Sequence, residues 1–255
     1  MKINSKIFAV ALLGIAAFLG LMPTNTAGAS SPDPAALELD TVAALAAPPL
    51  FDGIEAVDSV AFDPDSVTAE YLFMIAPVEI VPTIDEITRL DMLDYFKAGM
   101  DHPSKNVFGK DVRITSLSDD QITFTTSAVG ERTISIINNG KGERDVMVIN
   151  TVKTPQEDST VKFYNLDWTP SRKGYFMVPT LSDWILPEAK KRKSDLENAV
   201  PIMLAKMIYK PSTGELILTN NLGSYLPEEV TDLVGSSLRG SLTYQLTGKG
   251  FKLKK

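Results

Sequence analysis

The chain has 255 residues, of which 44% are hydrophobic, with no cysteine and a formal net charge of −7. Its length accommodates one large domain or two small ones, and the missing thiol excludes disulfides, thiol catalysis, thiolate metal sites and an acylated leader cysteine. The acidic balance works against a nucleic-acid partner, because a phosphate backbone repels such a surface unless basic residues are segregated on it.

Lys2 and Lys6 precede the apolar run IFAVALLGIAAFLGLM (7–22), which is followed by Pro23 and the small-residue triplet Ala27-Gly28-Ala29. A basic start, an apolar core and a small-residue site form the three-part pattern of a secretory signal peptide, with cleavage expected after Ala29. Removing Lys2 and Lys6 takes the 25 basic residues to 23 against 32 acidic, a net charge of −9 for the exported form. No other run is apolar enough to cross a bilayer, so periplasm or extracellular space is the expected location, with no stable membrane anchor. Residues 30–49, SSPDPAALELDTVAALAAPP, read as an Ala/Pro-rich linker. A single α+β domain is expected over 50–255, the alternative being two sub-units meeting near 185–200.

Residues 66–76 are apolar, and their periodicity fits strand or helix. The spacing then predicts a helix over 84–98. Thr83 and Glu86 stand at capping-box separation, Ile87, Leu90 and Leu93 recur behind them, and Gly99 marks the end. From there the period changes to two. VRITSL (112–117), QITFTTS (121–127), RTISIIN (132–138), VMVINTVKT (146–154) and TVKFYNLDW (160–168) predict strands whose short connections permit antiparallel neighbours. In the second half, Ser194 and Glu197 again have capping-box spacing within a charged segment, 188–199. Residues 202–220 predict a hairpin turning at Pro211 to Gly214. LPEEVTDLVGSSLRG (226–240) predicts a helix with Pro227 in its first turn and Gly240 at its end, and SLTYQL-TGKG-FKLKK predicts a closing hairpin. The fold class expected is α+β, an antiparallel β-meander packed against a few helices and closing with a C-terminal helix and hairpin.

Three segments, PVEIVPTIDEITRLDMLDYF, INTVKTPQEDSTVKFYNLDW and YFMVPTLSDWI, resemble an uncharacterised family of exported proteins, a domain of unknown function in gut anaerobes and related Gram-negative bacteria. The resemblance rests on the helix Arg89 to Tyr95, the hairpin Thr151 to Ser159, and a C-terminal unit in which Gln245 stands where a Trp is expected. It covers roughly residues 70 to 254 and implies no catalytic residue.

The residues themselves supply little chemistry. Glu157 and Asp158 in the knot PQEDS are adjacent in a turn, where Asp and Ser bond their own backbone, so a hairpin is expected in place of a carboxylate dyad. The single histidine, His102, sits in a loop, and no Gly-x-Ser-x-Gly elbow accompanies it. One histidine without cysteine makes zinc an unpromising ligand, and Asp63-Pro64-Asp65 lacks the spacing of a calcium loop. The cluster Lys190-Lys191-Arg192-Lys193 has no interleaved aromatic and reads as a solvated face. Aromatic residues are the remaining signal. Tyr164, Trp168, Tyr175 and Trp184 form the candidate binding surface, with core packing as the competing reading. The expectation is a non-catalytic binding or interaction module for a glycan, lipid or protein, without cofactor. The alternative is a hydrolase using acidic residues in a cleft.

Overall fold

The computed structural model describes residues 63–139, 142–223 and 225–254. The expected signal peptide, the expected linker and the expected start of the domain near residue 50 lie outside the described residues.

The first ordered elements are two helices. Thr68 caps α1 (Ala69–Ile75), its hydroxyl accepting from Tyr71 N at 3.2 Å, and the ambiguous 66–76 run is thereby settled as helix. Ala69, Leu72 and Phe73 share its buried face, and Pro77 follows its end. Helix α2 (Glu86–Lys97) is capped by Asp85, whose carboxylate accepts from Thr88 N at 2.8 Å. Thr83 therefore does not cap it. The expected packing phase is also wrong: Ile87 and Leu90 are 73% and 49% exposed, while Thr88, Arg89, Met92 and Leu93 form the buried stripe. Gly99, at φ 65°, ends the helix as expected, its N–H bonding Phe96 O while Met100 N reaches Tyr95 O. That is the left-handed turn in which glycine carries no Cβ penalty.

Arg89 shows why the helix is turned this way. Its Nη1 donates to the carbonyls of Phe73 (2.8 Å), Met74 (3.0 Å) and Ala76 (2.8 Å), closing the open C-terminal end of α1. One guanidinium nitrogen is thus shared among carbonyls at a helix end, where intrahelical donors run out; Phe73 O also accepts from Ala76 N at 3.4 Å.

After the two-residue strands β1 (Ser104–Lys105) and β2 (Asp111–Val112), the predicted meander appears. It consists of β3 (Ile114–Leu117), β4 (Gln121–Thr125), β5 (Gly130–Asn138), β6 (Arg144–Val152) and β7 (Asp158–Tyr164), hydrogen-bonded in sequence order and antiparallel throughout. Residues 146–149 of β6, VMVI, are apolar without interruption because both faces of the strand are covered there. Val146 and Val148 join Ile122, Phe124 and Ile134 against α1 and α2, whereas Met147 and Ile149 face a second core with Ile137.

The second core is closed by a four-stranded sheet in the order β11-β10-β9-β8. Its strands are β8 (Ala205–Lys210), β9 (Glu215–Asn220), β10 (Ser241–Thr247) and β11 (Gly250–Leu253). Met207, Tyr209, Leu216, Leu218, Leu242 and Tyr244 line its inner face. Helices α3 (Leu181–Trp184), α4 (Lys193–Ala199) and α5 (Glu228–Gly235) add Trp184, Leu196 and Val234 to this core. Helix α4 starts from Arg192 with no side-chain cap, so the expected Ser194 box is not formed. Helix α5 stops five residues before Gly240, because Leu186 N bonds Ser237 O and Arg239 N bonds Trp184 O, drawing the chain into a bridge. The architecture is α+β, with two main antiparallel sheets, a small β1–β2 ribbon and a hydrophobic core on each face of the largest sheet.

Candidate functional site

The four aromatic residues of the candidate surface lie inward. Trp168 is 7% exposed, Tyr175 5% and Trp184 1%, and Tyr164 is half-buried with its ring edge-on to Trp168 at 5.7 Å. Trp168 and Tyr164 serve the core under the helices, and Tyr175 and Trp184 the other core. They do not gather on one exposed face. Nor does Trp168 continue the strand, as the alternation predicted. Strand β7 ends at Tyr164, and the chain turns through Asn165 to Thr169, with Trp168 N bonding Asn165 O (3.0 Å) and Asn165 N bonding Thr169 O (2.8 Å). Trp168 closes this turn at φ 66°, in the left-handed region.

Tyr175 does have a polar partner. Its hydroxyl donates to Asp145, and Lys173 Nζ reaches the same oxygen at 2.7 Å while also pairing with Glu143 at 3.0 Å. Burial, then the bond to Asp145, pushes the Tyr175 phenol up to about 12, and the Asp145 bond raises Lys173 as well. A phenol held this firmly in its protonated form is a poor general base, so this cluster acts as a structural lock. Gly250 closes beside it at φ 103°, where an added Cβ would meet Tyr175 O at 2.5 Å.

The knot PQEDS is the turn of the β6–β7 hairpin, as expected, yet its side chains are not merely solvated. Ser159 Oγ bonds Thr151 Oγ1 (2.8 Å) and accepts from Met207 N (3.0 Å). Asp158 accepts from Ala205 N (3.0 Å), Glu157 pairs with Lys206 (2.8 Å), and the Glu157 carbonyl accepts from Asn221 (2.7 Å). The expectation that Asp158 and Ser159 bond their own backbone is corrected: they accept from amides of β8, because the hairpin end is where the two sheets are tied together. His102 packs edge-on to Tyr95, and Asp63 accepts from Asp65 N at the start of a short 3-10 turn. Among the described residues no three His, Cys, Asp or Glu side chains form a group able to hold a metal.

The same ties build a cleft. In the ladder from β8 to β9, Asn221 N bonds Leu204 O and Gly214 N bonds Lys210 O. Residues alternate along a strand edge, so 206, 208 and 210 serve the ladder, and the backbone groups of 205, 207 and 209 point the other way. They point over the larger sheet. Ala205 and Met207 are held by β7, and Tyr209 O accepts from Gln121 Nε2 of β4 at 3.1 Å, so β8 runs diagonally across from β7 to β4. Beneath it the sheet face is polar. Thr123 and Thr133 bond each other at 3.0 Å, and Gln121 also reaches Ser135 at 2.9 Å. The space enclosed is about 180 Å³, and it adjoins a second space of about 230 Å³ that includes Asp120 and Arg144. Tyr209 lines both. Burial pushes its phenol up to about 12. No sequence signal marked Gln121, Thr123, Thr133 or Tyr209, which occupy ordinary alternating positions of strands.

Elsewhere, the carboxyl groups whose pKa departs from the ordinary value are all held down: Asp85 and Asp167 by bonds from threonines, Asp111 and Glu215 by bonds from lysines.

A family model described as a protein of unknown function, DUF3256, matches residues 62–251. No curated protein matches the chain. Among solved structures, a domain of an uncharacterised protein from Porphyromonas gingivalis W83 is similar, with a TM-score of 0.62 and 21% identity over 72% of this chain and 98% of that one. That likeness is one of fold.

Proposed function

The chain belongs to the DUF3256 family of proteins of unknown function, and from that premise we propose that it is an exported, non-catalytic binding module whose ligand enters the cleft under β8. The observation that carries the reading is the lining of that cleft. It offers hydroxyl, amide and backbone groups beside the half-exposed Ile208, the mixture by which concave sites orient a ligand. Hydrolysis by two carboxyls needs both to converge on one bond, whereas the acidic residue lining this cleft, Glu131, is paired with Lys153 at 2.8 Å and has no second carboxylate beside it in the lining. This supports binding over the hydrolase alternative.

Export is supported by the basic start, the apolar run and Ala27-Gly28-Ala29. Among the described residues, no helix is long and apolar enough to cross a membrane. The resemblance supports an origin in gut anaerobes or their Gram-negative relatives. Intact-mass analysis of the secreted chain should give an N-terminus at Ser30, and retention of Met1 in a membrane fraction would overturn export. The binding reading is tested by screening a library of polar fragments against the ¹⁵N-labelled protein. The amides of Gln121, Thr123, Thr133 and Tyr209 should move together, and a screen that leaves all four still would refute it.

A further inference from the structure

We infer that the ligand of the β8 cleft is a short neutral glycan; this deepens the binding reading and rests on it. The first argument is electrostatic. The charged groups at the cleft end are already paired, Glu131 with Lys153 at 2.8 Å and Lys206 with Glu157 at 2.8 Å. An anionic ligand would gain no unpaired cation there, and a cationic one no unpaired carboxylate.

The second argument concerns the strand edge. An extended peptide adds to a sheet by using the N–H and C=O of alternate residues in succession. Along β8 that succession is broken, because Asp158 holds Ala205 N, Ser159 holds Met207 N, and Gln121 holds Tyr209 O. Ladder parity leaves Ala205 C=O at one end and, flanking Ile208, an acceptor and a donor side by side, Met207 C=O and Tyr209 N–H. A hydroxyl can donate to Met207 C=O, and a neighbouring hydroxyl can accept from Tyr209 N–H. Vicinal hydroxyls of a sugar ring present that pair; a peptide strand needs the full row.

The third argument is the opposite wall. Thr123 and Thr133 bond each other, which uses one hydroxyl proton and leaves the second for a ligand oxygen. Both amide protons of Gln121 are used, by Ser135 and Tyr209, leaving its carbonyl oxygen as an acceptor.

The test is titration of the ¹⁵N-labelled secreted chain with cellotriose, maltotriose and chitotriose, alongside trigalacturonate and an alternating Val-Thr hexapeptide. At least one neutral trisaccharide should shift the Thr133 and Tyr209 amides. Thr123→Val and Thr133→Val, which keep β-branched shape, should each weaken it by about tenfold, the loss of one well-made hydrogen bond in a desolvated site. Lys206→Met should change it by less than about twofold, as expected for a partly exposed charge. The amide spectra of the variants report whether the fold is kept. Trigalacturonate or the hexapeptide moving these amides while the trisaccharides do not would overturn the glycan class and leave the cleft a binding site. Silence of every probe would overturn the glycan class too, whereas the binding reading falls only with the fragment screen.

Discussion

Ser159 and Met207, 48 residues apart, are joined by a 3.0 Å bond in which a buried hydroxyl accepts a strand-edge N–H. The same hydroxyl bonds Thr151, so one side chain serves the hairpin and the docking of the second sheet. Ser159→Ala should therefore cost about 1–3 kcal/mol, because it strands a buried donor as well as removing a bond. Urea unfolding measures it. Adding Thr151→Val to the variant should cost little more, since its partner is already gone.

Arg89 offers a second test. Arg89→Met keeps much of the apolar stem but takes the Nη1 donor from the carbonyls of Phe73, Met74 and Ala76. A loss of about 2–4 kcal/mol is expected, in the range for hydrogen bonds to a charged group plus the desolvation of what remains. Arg89→Lys should rescue only part of it, as an ammonium does not reproduce the planar guanidinium. Equal stability of wild type and Arg89→Met in denaturant would show that α1 needs no such closure.

Trp168 is buried, and its indole Nε1 has no hydrogen-bond partner among the described residues. Trp168→Ala should cost about 3–5 kcal/mol through the cavity it leaves. Trp168→Phe should cost less, because it keeps a ring against Tyr164 and removes an unsatisfied donor. Thermal unfolding of the two variants ranks them; a small drop for Trp168→Ala would mean the ring packs on nothing.

Stability should also respond to alkali. Tyr175 and Tyr209 are raised from 10.0 to about 12, and Lys173 is raised as well. Between pH 10 and 12 the folded chain binds more protons than the unfolded one, so stability is intact below pH 10 and falls as pH rises towards 12. The absorbance of tyrosinate should show late-titrating phenols, their number falling by one in Tyr175→Phe and by one in Tyr209→Phe. Early titration of both in the folded wild type would contradict the burial.

The meander was legible because its rows obey period two and are separated by turn residues such as Ser118-Asp119-Asp120. Even the uninterrupted VMVI of β6 has a simple cause in its two covered faces. Helix α2 was legible as a helix but not in phase. Its buried stripe includes Thr88 and Arg89, polar by type and inward because each has a backbone acceptor, Lys105 O and the end of α1. Apolar identity alone therefore pointed to Leu90, which faces solvent. The cleft left no local trace. Gln121 and Tyr209 meet across 88 residues, and the threonines beneath β8 look like any solvent-facing row until a second sheet crosses them. The aromatic signal was real but answered to packing, with Trp184 and Tyr175 enclosed by the sheet that the C-terminal hairpins supply.

The six-residue edge of β8 is closed by side chains, not by another strand. Such closure keeps an edge from recruiting a neighbouring molecule while leaving its backbone chemically able to do so. Weakening these ties thus threatens solubility as well as stability. A Ser159→Ala chain, on opening, presents an unpaired strand to every other copy, and its expected fate at high concentration is self-association through β8.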